Sequence, residues 1–204
     1  TYVIGHVKCH GVILKNPESN EPPIQYWTYS FEPPIKETIE RGLQWLLTQR
    51  NDGVWSFEGI KNVGLTSMAV TAFLNYGEPW YYDLRDPINW ILRQQQSDGS
   101  ISTGEPSGEP WKTYDTSLAI LALIATGDVP YFMEYIEYAS RYLISVQNDE
   151  DTIQSTKYDM SNMYYGGWGY PRDNWADLSN TQFALLALHY ADKLRRPITD
   201  RSLW

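Results

Sequence analysis

The sequence predicts an all-α fold, an α/α toroid built from helical hairpins, with a short β-rich arm ahead of it. Three observations point there. Amphipathic helical segments alternate with segments that are apolar almost all round. The apolar segments share a Thr-x-x-Ala mark, which occurs three times. Turns containing glycine close most of the segments. A helix that is apolar on every side needs burial, so the apolar set suits an inner ring and the amphipathic set an outer one.

The arm is residues 1–34. "TYVIGHVKCHGVIL" and "PIQYWTYSF" are rich in β-branched and aromatic residues, and the turn-forming "KNPESNEPP" separates them, which reads as a hairpin or extended arm. Pro33 and Pro34 suit the first turn of a helix.

Residues 35–204 hold the repeats. "IKETIERGLQWLLTQR" (35–50) has helical apolar spacing and is closed by "NDG". "VGLTSMAVTAFLNY" (63–76) is nearly all apolar and ends at Gly77. "DLRDPINWILRQQQS" (83–97) is amphipathic and ends in "DG". "DTSLAILALIAT" (115–126) is apolar and ends at Gly127. "PYFMEYIEYASRYLISVQ" (130–147) is amphipathic, and "LSNTQFALLALHYADKL" (178–194) apolar. Thr66, Thr116 and Thr181 match, as do Ala69, Ala119 and Ala184. In the amphipathic set Trp45, Trp90 and Tyr142 align, followed by Gln49, Gln95 or Gln96, and Gln147. The third repeat carries a polar insertion at 148–163.

Composition excludes several classes. A net charge of −9, with no basic run longer than "LRR" at 194–196, argues against nucleic acid. No apolar stretch has the length of a membrane-spanning helix, so a soluble chain is expected. A single cysteine rules out an internal disulfide framework and a multi-cysteine zinc site. The 9 Trp and 16 Tyr favour packed aromatic loops, an aromatic-lined pocket, or both.

"RGLQWLLTQRNDGVW" (41–55) resembles the QW motif of the squalene-hopene and oxidosqualene cyclases. Arg41, Gly42, Trp45, Leu46, Leu47, Gln49, Gly53 and Trp55 fill the motif's places. "INWILRQQQSDGS" is a weaker copy with Ile101 in place of the tryptophan, and "RYLISVQ" with "GGWG" at 166–169 is a third copy split by the insertion. The resemblance covers roughly 35–204 and extends loosely to protein prenyltransferase β subunits, which share the toroid. It implies a scaffold whose glutamines satisfy free backbone groups at helix ends. It does not by itself imply a catalyst.

Cyclases of that family protonate an alkene or epoxide with an acid kept neutral in an apolar cavity. The resemblance implies an Asp-x-Asp-Asp-Thr motif at the start of an inner helix, its middle Asp the donor. Aligned on the shared threonine, that position is Gly64, Tyr114 or Ser179, none of them an acid. "KTYDT" retains Asp115 and "DLSNT" retains Asp177. These two are the candidate acids, Asp115 in the motif's last Asp position. Its competing role is helix capping, which Asn180 at the matched position would perform equally well.

The prenyltransferase zinc set of Asp, Cys and His is not matched, since Cys9 lies in the arm, and no DDxxD-like run is present. Nor is there a Cys-Gly-Glu-Gln stretch of the kind in thioester-containing complement domains. In "HVKCH" the ligand types His6, Cys9 and His10 occur together, but a strand would turn His6 and His10 to one face and Cys9 to the other. An edge strand is therefore the reading there. No metal site and no cofactor is expected.

The segment "YYGGWGYPRDNWADLSN" (164–180) is the best candidate for a binding surface. Tyr164, Tyr165, Trp168, Tyr170 and Trp175, with Tyr114, would line a mouth, and Arg172, Asp173 and Asp177 would supply polar groups. The competing reading is that these aromatics only pack a QW-like turn.

The expected function is a squalene-cyclase/prenyltransferase-like repeat domain without the complete acid motif, a scaffold or binding module for a small apolar ligand. One alternative is an isoprenoid cyclase whose proton donor lies outside the segment. Another is a carbohydrate-active toroid, which would need paired carboxylates from Asp115, Asp173 and Asp177. Three hairpins leave terminal inner helices with a bare apolar flank. The chain is thus expected to be a fragment whose ring the rest of the polypeptide completes, or to be completed by a second chain. "PITDRSLW" at the end reads as the start of a further outer helix.

Overall fold

A computed structural model of the chain describes residues 34–77, 84–103, 111–153, 157–170 and 175–194, with the backbone of 2–4, 7–14, 24–31 and 33. The reading of "PITDRSLW" as a helix start lies outside the described residues. The protein divides into two compact units, Thr1–Gln49 and Arg50–Trp204.

The first unit contains strands β1 (Tyr2–Ile4), β2 (Val7–Leu14) and β3 (Ile24–Phe31) and helix α1 (Pro33–Thr48). The strands form an antiparallel sheet in the order β1-β2-β3, with Val7 opposite Phe31 and Leu14 opposite Ile24. Of the expected hairpin or extended arm, the hairpin is present as β2–β3, with β1 added along its edge; β2, which holds most of "HVKCH", is therefore the central strand and not the expected edge strand. Alternating β-branched and aromatic residues favour such pairing. Helix α1 belongs to this unit, with Leu43 buried and Trp45 exposed.

The second unit is mostly helical: α2 (Val63–Tyr76), α3 (Arg85–Leu92), α4 (Lys112–Ala125), α5 (Val129–Ser145) and α6 (Leu178–Leu194). A two-stranded ribbon of β4 (Ser56–Phe57) and β5 (Ile60–Lys61) precedes α2. The bounds of α2 and α6 are those the apolar runs predict. Helix α3 is shorter than the expected 83–97. Beyond Leu92 the chain tightens into bonds from Gln94 N–H to Ile91 and Gln95 N–H to Leu92, and Gln96 N–H turns to the Ser100 carbonyl. Helix α4 begins at Lys112, three residues before the expected Asp115.

Helix α2 packs on α4, and α4 on α6. Helix α3 touches both α2 and α4, and α5 touches both α4 and α6. Apolar helices thus form one layer, with the amphipathic ones seated over the grooves between them. Phe73, Ile91, Ile120, Leu123, Ile136 and Leu143 are fully buried in this unit, each worth about 1.5–3 kcal/mol of transfer free energy. Ala119 and Ala184 are both fully buried; a methyl side chain lets neighbouring backbones approach. Among the described residues, no helix is long and apolar enough to cross a membrane.

Candidate functional site

The starts of the apolar helices are built on one device used three times. The Thr66 hydroxyl accepts the Trp55 N–H at 3.2 Å and donates to the Trp55 carbonyl at 3.2 Å. Thr116 accepts the Ile101 N–H at 3.0 Å in the same way, while its own proton goes to the Lys112 carbonyl at 2.6 Å, with the Ile101 carbonyl further off at 3.4 Å. Thr181 makes the full pair with Trp168, at 3.0 and 3.3 Å. In all three the hydroxyl gives the turn residue's N–H its acceptor; the Trp55 and Trp168 carbonyls also accept the Asn62 and Asp177 N–H groups, at 3.1 and 3.0 Å. Ile101 does stand where the other two repeats have tryptophan.

Two residues before each clasped residue lies a glycine with positive φ: Gly53 (84°), Gly99 (93°) and Gly166 (80°). Gly99 also lies so close to the Tyr138 carbonyl that a Cβ would collide with it. The Gln95 amide donates to the Gly99 carbonyl at 3.2 Å, and Gln147 to Gly166 at 2.8 Å. Gln95, not Gln96, is thus the counterpart of Gln147 in the repeat. Gln95 also donates to the Tyr135 carbonyl of α5 at 3.0 Å, joining one hairpin to the next.

Asp115 does not cap its own helix. It lies inside the first turn of α4, whose preceding residue Trp111 offers no side-chain cap. Its Oδ1 accepts the Gly64 N–H in the first turn of α2 at 3.1 Å, and its Oδ2 accepts the Ser102 hydroxyl at 2.9 Å. The free N–H groups at a helix start attract a carboxylate from a neighbouring helix as readily as one from their own helix. A Cβ on Gly64 would come within 2.6 Å of Asp115 Oδ1, so glycine is what lets the carboxyl reach the backbone. Asn62, the residue just before α2, caps the same helix locally, accepting Leu65 N–H at 2.8 Å. Burial pushes the Asp115 carboxyl up to about 7, against hydrogen bonds from Ser102, Gly64 and Thr103.

Asp177 is the cap of α6. Oδ1 accepts the Ser179 hydroxyl at 2.7 Å and the Asn180 N–H at 2.8 Å, and Oδ2 accepts the Asn180 side-chain amide at 2.6 Å. Burial raises its carboxyl, but these bonds outweigh it and hold the group below the usual carboxylate range. Position 177 matches Asn62 of α2. In α4 the matched position is Lys112, which instead pairs with Asp98 at 2.8 Å. Asn180, at the position of Asp115, is fully buried with its side-chain oxygen unpartnered.

The aromatic candidates separate into two groups. Trp168 is core: it is 1% exposed, and its indole N–H donates to the Leu143 carbonyl at 2.7 Å. It is therefore part of the packed turn rather than of a binding wall. Tyr164 and Tyr165 are half-buried, and the Tyr165 hydroxyl donates to Glu150 at 2.9 Å. Tyr114 and Tyr170 each meet a ring that the sequence reading did not single out. Tyr170 meets Trp111 edge to face, centroids 5.2 Å apart at 87°, and Tyr114 meets Phe183 at 5.1 Å and 77°. Trp111 is 52% exposed, and Trp175 and Leu178 are exposed near them in sequence. The result is an aromatic ridge at the N-terminal ends of α4 and α6. Position supplied the missed signal: Trp111 directly precedes α4, and Phe183 lies inside the Thr-Gln-Phe-Ala mark.

Arg172 and Asp173 lie outside the described residues, as do His6 and the side chains of Cys9 and His10. Among the described residues, no three His, Cys, Asp or Glu side chains gather as metal ligands would. Two open hollows, of about 500 and 400 Å³, lie on the amphipathic side. Glu134, Tyr135, Tyr138 and Arg141 of α5 line the first, and Asp86, Asn89, Trp90 and Arg93 the second. Asp115 lines neither. No protein-family model and no curated protein matches the chain.

Proposed function

We propose that the chain is a squalene-cyclase/prenyltransferase-like repeat domain, part of an α/α toroid, that binds a small apolar ligand on its aromatic ridge. It carries no complete acid motif of its own. Three threonine-clasped turns and the stepwise packing of α2, α4 and α6 support the toroid reading. The ring would be completed by more of the same polypeptide or by a second chain.

One observation carries the binding role. At the helix starts the large aromatic Trp111 is left in water, braced edge to face by Tyr170, with Tyr114 and Phe183 paired in the same way. Rings held rigidly lose little entropy when an apolar ligand covers them. Titration of intrinsic tryptophan fluorescence tests it, with a linear isoprenoid alcohol in one arm and a soluble oligosaccharide in the other. The isoprenoid should quench and shift the emission of the wild type, and Trp111→Ala should abolish the response. A response to the oligosaccharide alone would favour the carbohydrate-active reading instead.

The raised carboxyl of Asp115 favours a second reading, an isoprenoid cyclase, because a partly protonated buried acid is what alkene protonation requires. Against it, both carboxyl oxygens already accept protein hydrogen bonds. Incubation with squalene and analysis for cyclic product separates the two, since the binding module returns squalene unchanged.

A further inference from the structure

The two junctions inside the layer, α2 with α4 and α4 with α6, can be compared donor by donor. At the start of α2 the Val63 N–H meets Thr103 Oγ1 at 3.3 Å, the Gly64 N–H meets Asp115 Oδ1 at 3.1 Å and the Leu65 N–H meets Asn62 Oδ1 at 2.8 Å. The start of α4 is different. No side chain caps it, and its first bond runs from the Asp115 N–H to the Trp111 carbonyl, so the Thr113 and Tyr114 N–H groups lie ahead of the ladder. The Thr113 hydroxyl is fully buried and has no partner. In the register of the repeats, Asn180 of α6 stands to this turn as Asp115 stands to α2. The Tyr114–Phe183 ring contact, at 5.1 Å, brings the starts of the two helices together.

Asn180 does not serve α4 as Asp115 serves α2. Its amide nitrogen donates to Asp177 at 2.6 Å, which fixes Oδ1 as the atom turned away, and that oxygen is buried without a partner. Ser102, which completes the first junction, has Gly169 as its counterpart, and a Cβ on Gly169 would overlap the Trp175 carbonyl. The second junction therefore gathers N–H donors from α4 and oxygen acceptors from Asn180 and Trp175. Buried donors and acceptors without partners call for a group that serves both. An ammonium would be repelled by the N–H groups, and a carboxylate by the two oxygens. A hydroxyl accepts from one set and donates to the other. The ridge begins beside these atoms: Tyr114 follows Thr113, Phe183 lies about one turn beyond Asn180, and the exposed Trp111 is two residues ahead of Thr113. We propose that the junction between the starts of α4 and α6 receives a hydroxyl, the polar end of the ligand whose apolar body lies on the ridge. This rests on the ridge being a ligand site and adds the class of ligand, a long-chain alcohol.

Tryptophan fluorescence titration tests it with probes that share one chain: a linear isoprenoid alcohol, its methyl ether, the matching carboxylic acid and the matching amine. The wild type should bind the alcohol about tenfold more tightly than the other three, the order of one buried hydrogen bond. Asn180→Leu should bring the alcohol down to the affinity of the ether and leave the ether unchanged. Thr113→Val keeps the side-chain shape and removes a hydroxyl that has no partner in the protein. It should remove part of the preference, and it carries the test if circular dichroism shows that Asn180→Leu does not fold. Equal binding of alcohol and ether by the wild type overturns the proposal and leaves the ridge reading intact. Tightest binding of the acid overturns it as well, as the sign of an anion site at the start of α4. A preference for the alcohol that both variants retain in full also overturns it. If none of the four probes binds, the ridge reading falls and the proposal falls with it.

Discussion

Helices α4 and α6 carry the same marks and live in different surroundings. Thr116 and Thr181 clasp equivalent turns, and Ala119 and Ala184 are both fully buried. Yet Ile120 is fully buried while its match Leu185 is 53% exposed. Along α6 the buried residues are Asn180, Ala184, Ala187 and Ala191, a single narrow stripe. On α4 the buried run from Asp115 to Ile120 is unbroken. Helix α6 is the more polar of the two, with Gln182, His189, Asp192 and Lys193, yet its leucines 178, 185 and 186 are exposed too, whereas α4 has neighbours on both of its flanks. A pattern apolar on all sides states what a helix needs, and only the adjacent helices supply it.

The comparison can be tested by substitution. Ile120→Ala should lower the unfolding free energy by about 2–5 kcal/mol, the cost of a large-to-small change in a closed core. If urea denaturation gives Ile120→Ala and Leu185→Ala the same loss, the two flanks do not differ as described.

Asp115 and Asn180 occupy matched positions, so Asp115→Asn makes α4 resemble α6 at one atom pair. The ordinary carboxyl value is 3.8 and the folded value about 7. Below both values the acid is neutral in either state and costs nothing. Between them the unfolded chain releases its proton first, so wild-type stability falls as pH rises from about 4 to about 7 and then levels off. The full excursion is at most roughly 4 kcal/mol at 1.36 kcal/mol per pKa unit. The amide can still accept from Gly64, so Asp115→Asn should flatten this slope and gain on the wild type towards neutral pH. Thermal melts at pH 4 and pH 7.5 measure it, and an unchanged slope in the variant would remove Asp115 as its source.

Thr116→Val should cost about 1–3 kcal/mol, because the Ile101 N–H is left buried without a partner. Thr181→Val should cost less, since the clasp on Trp168 is only partly buried. Equal losses would mean that the surroundings of the clasp do not matter. The smallest change belongs to Leu185→Ala, within about 0.5 kcal/mol, as for exposed positions generally.

Much of the second unit was legible from local chemistry. The apolar runs located α2 and α6, and the shared threonines and alanines aligned three helix starts, including Ile101 against the tryptophans. Asp115 shows the limit of such reading. An acid beside an apolar run looks like a cap for that run, and so does Asn180. Asp115 instead serves the helix beside it, through a glycine 51 residues earlier that leaves room for the carboxyl. No one-dimensional spacing carries that pairing. The aromatic segment divided for a similar reason: Trp168 looked like its neighbours, but its indole N–H finds a carbonyl inside and its ring fills the core.

Helix positions, turn glycines and the threonine register follow from interactions within a few residues or between repeated motifs, and these are written in the chain. Which flank of a helix is covered, which acid is buried and which ring stays in water depend on partners distant in sequence. The first set is controlled by backbone hydrogen bonding and φ/ψ preference, which are local. The second is controlled by desolvation, which has no value until the neighbouring helices have taken their places.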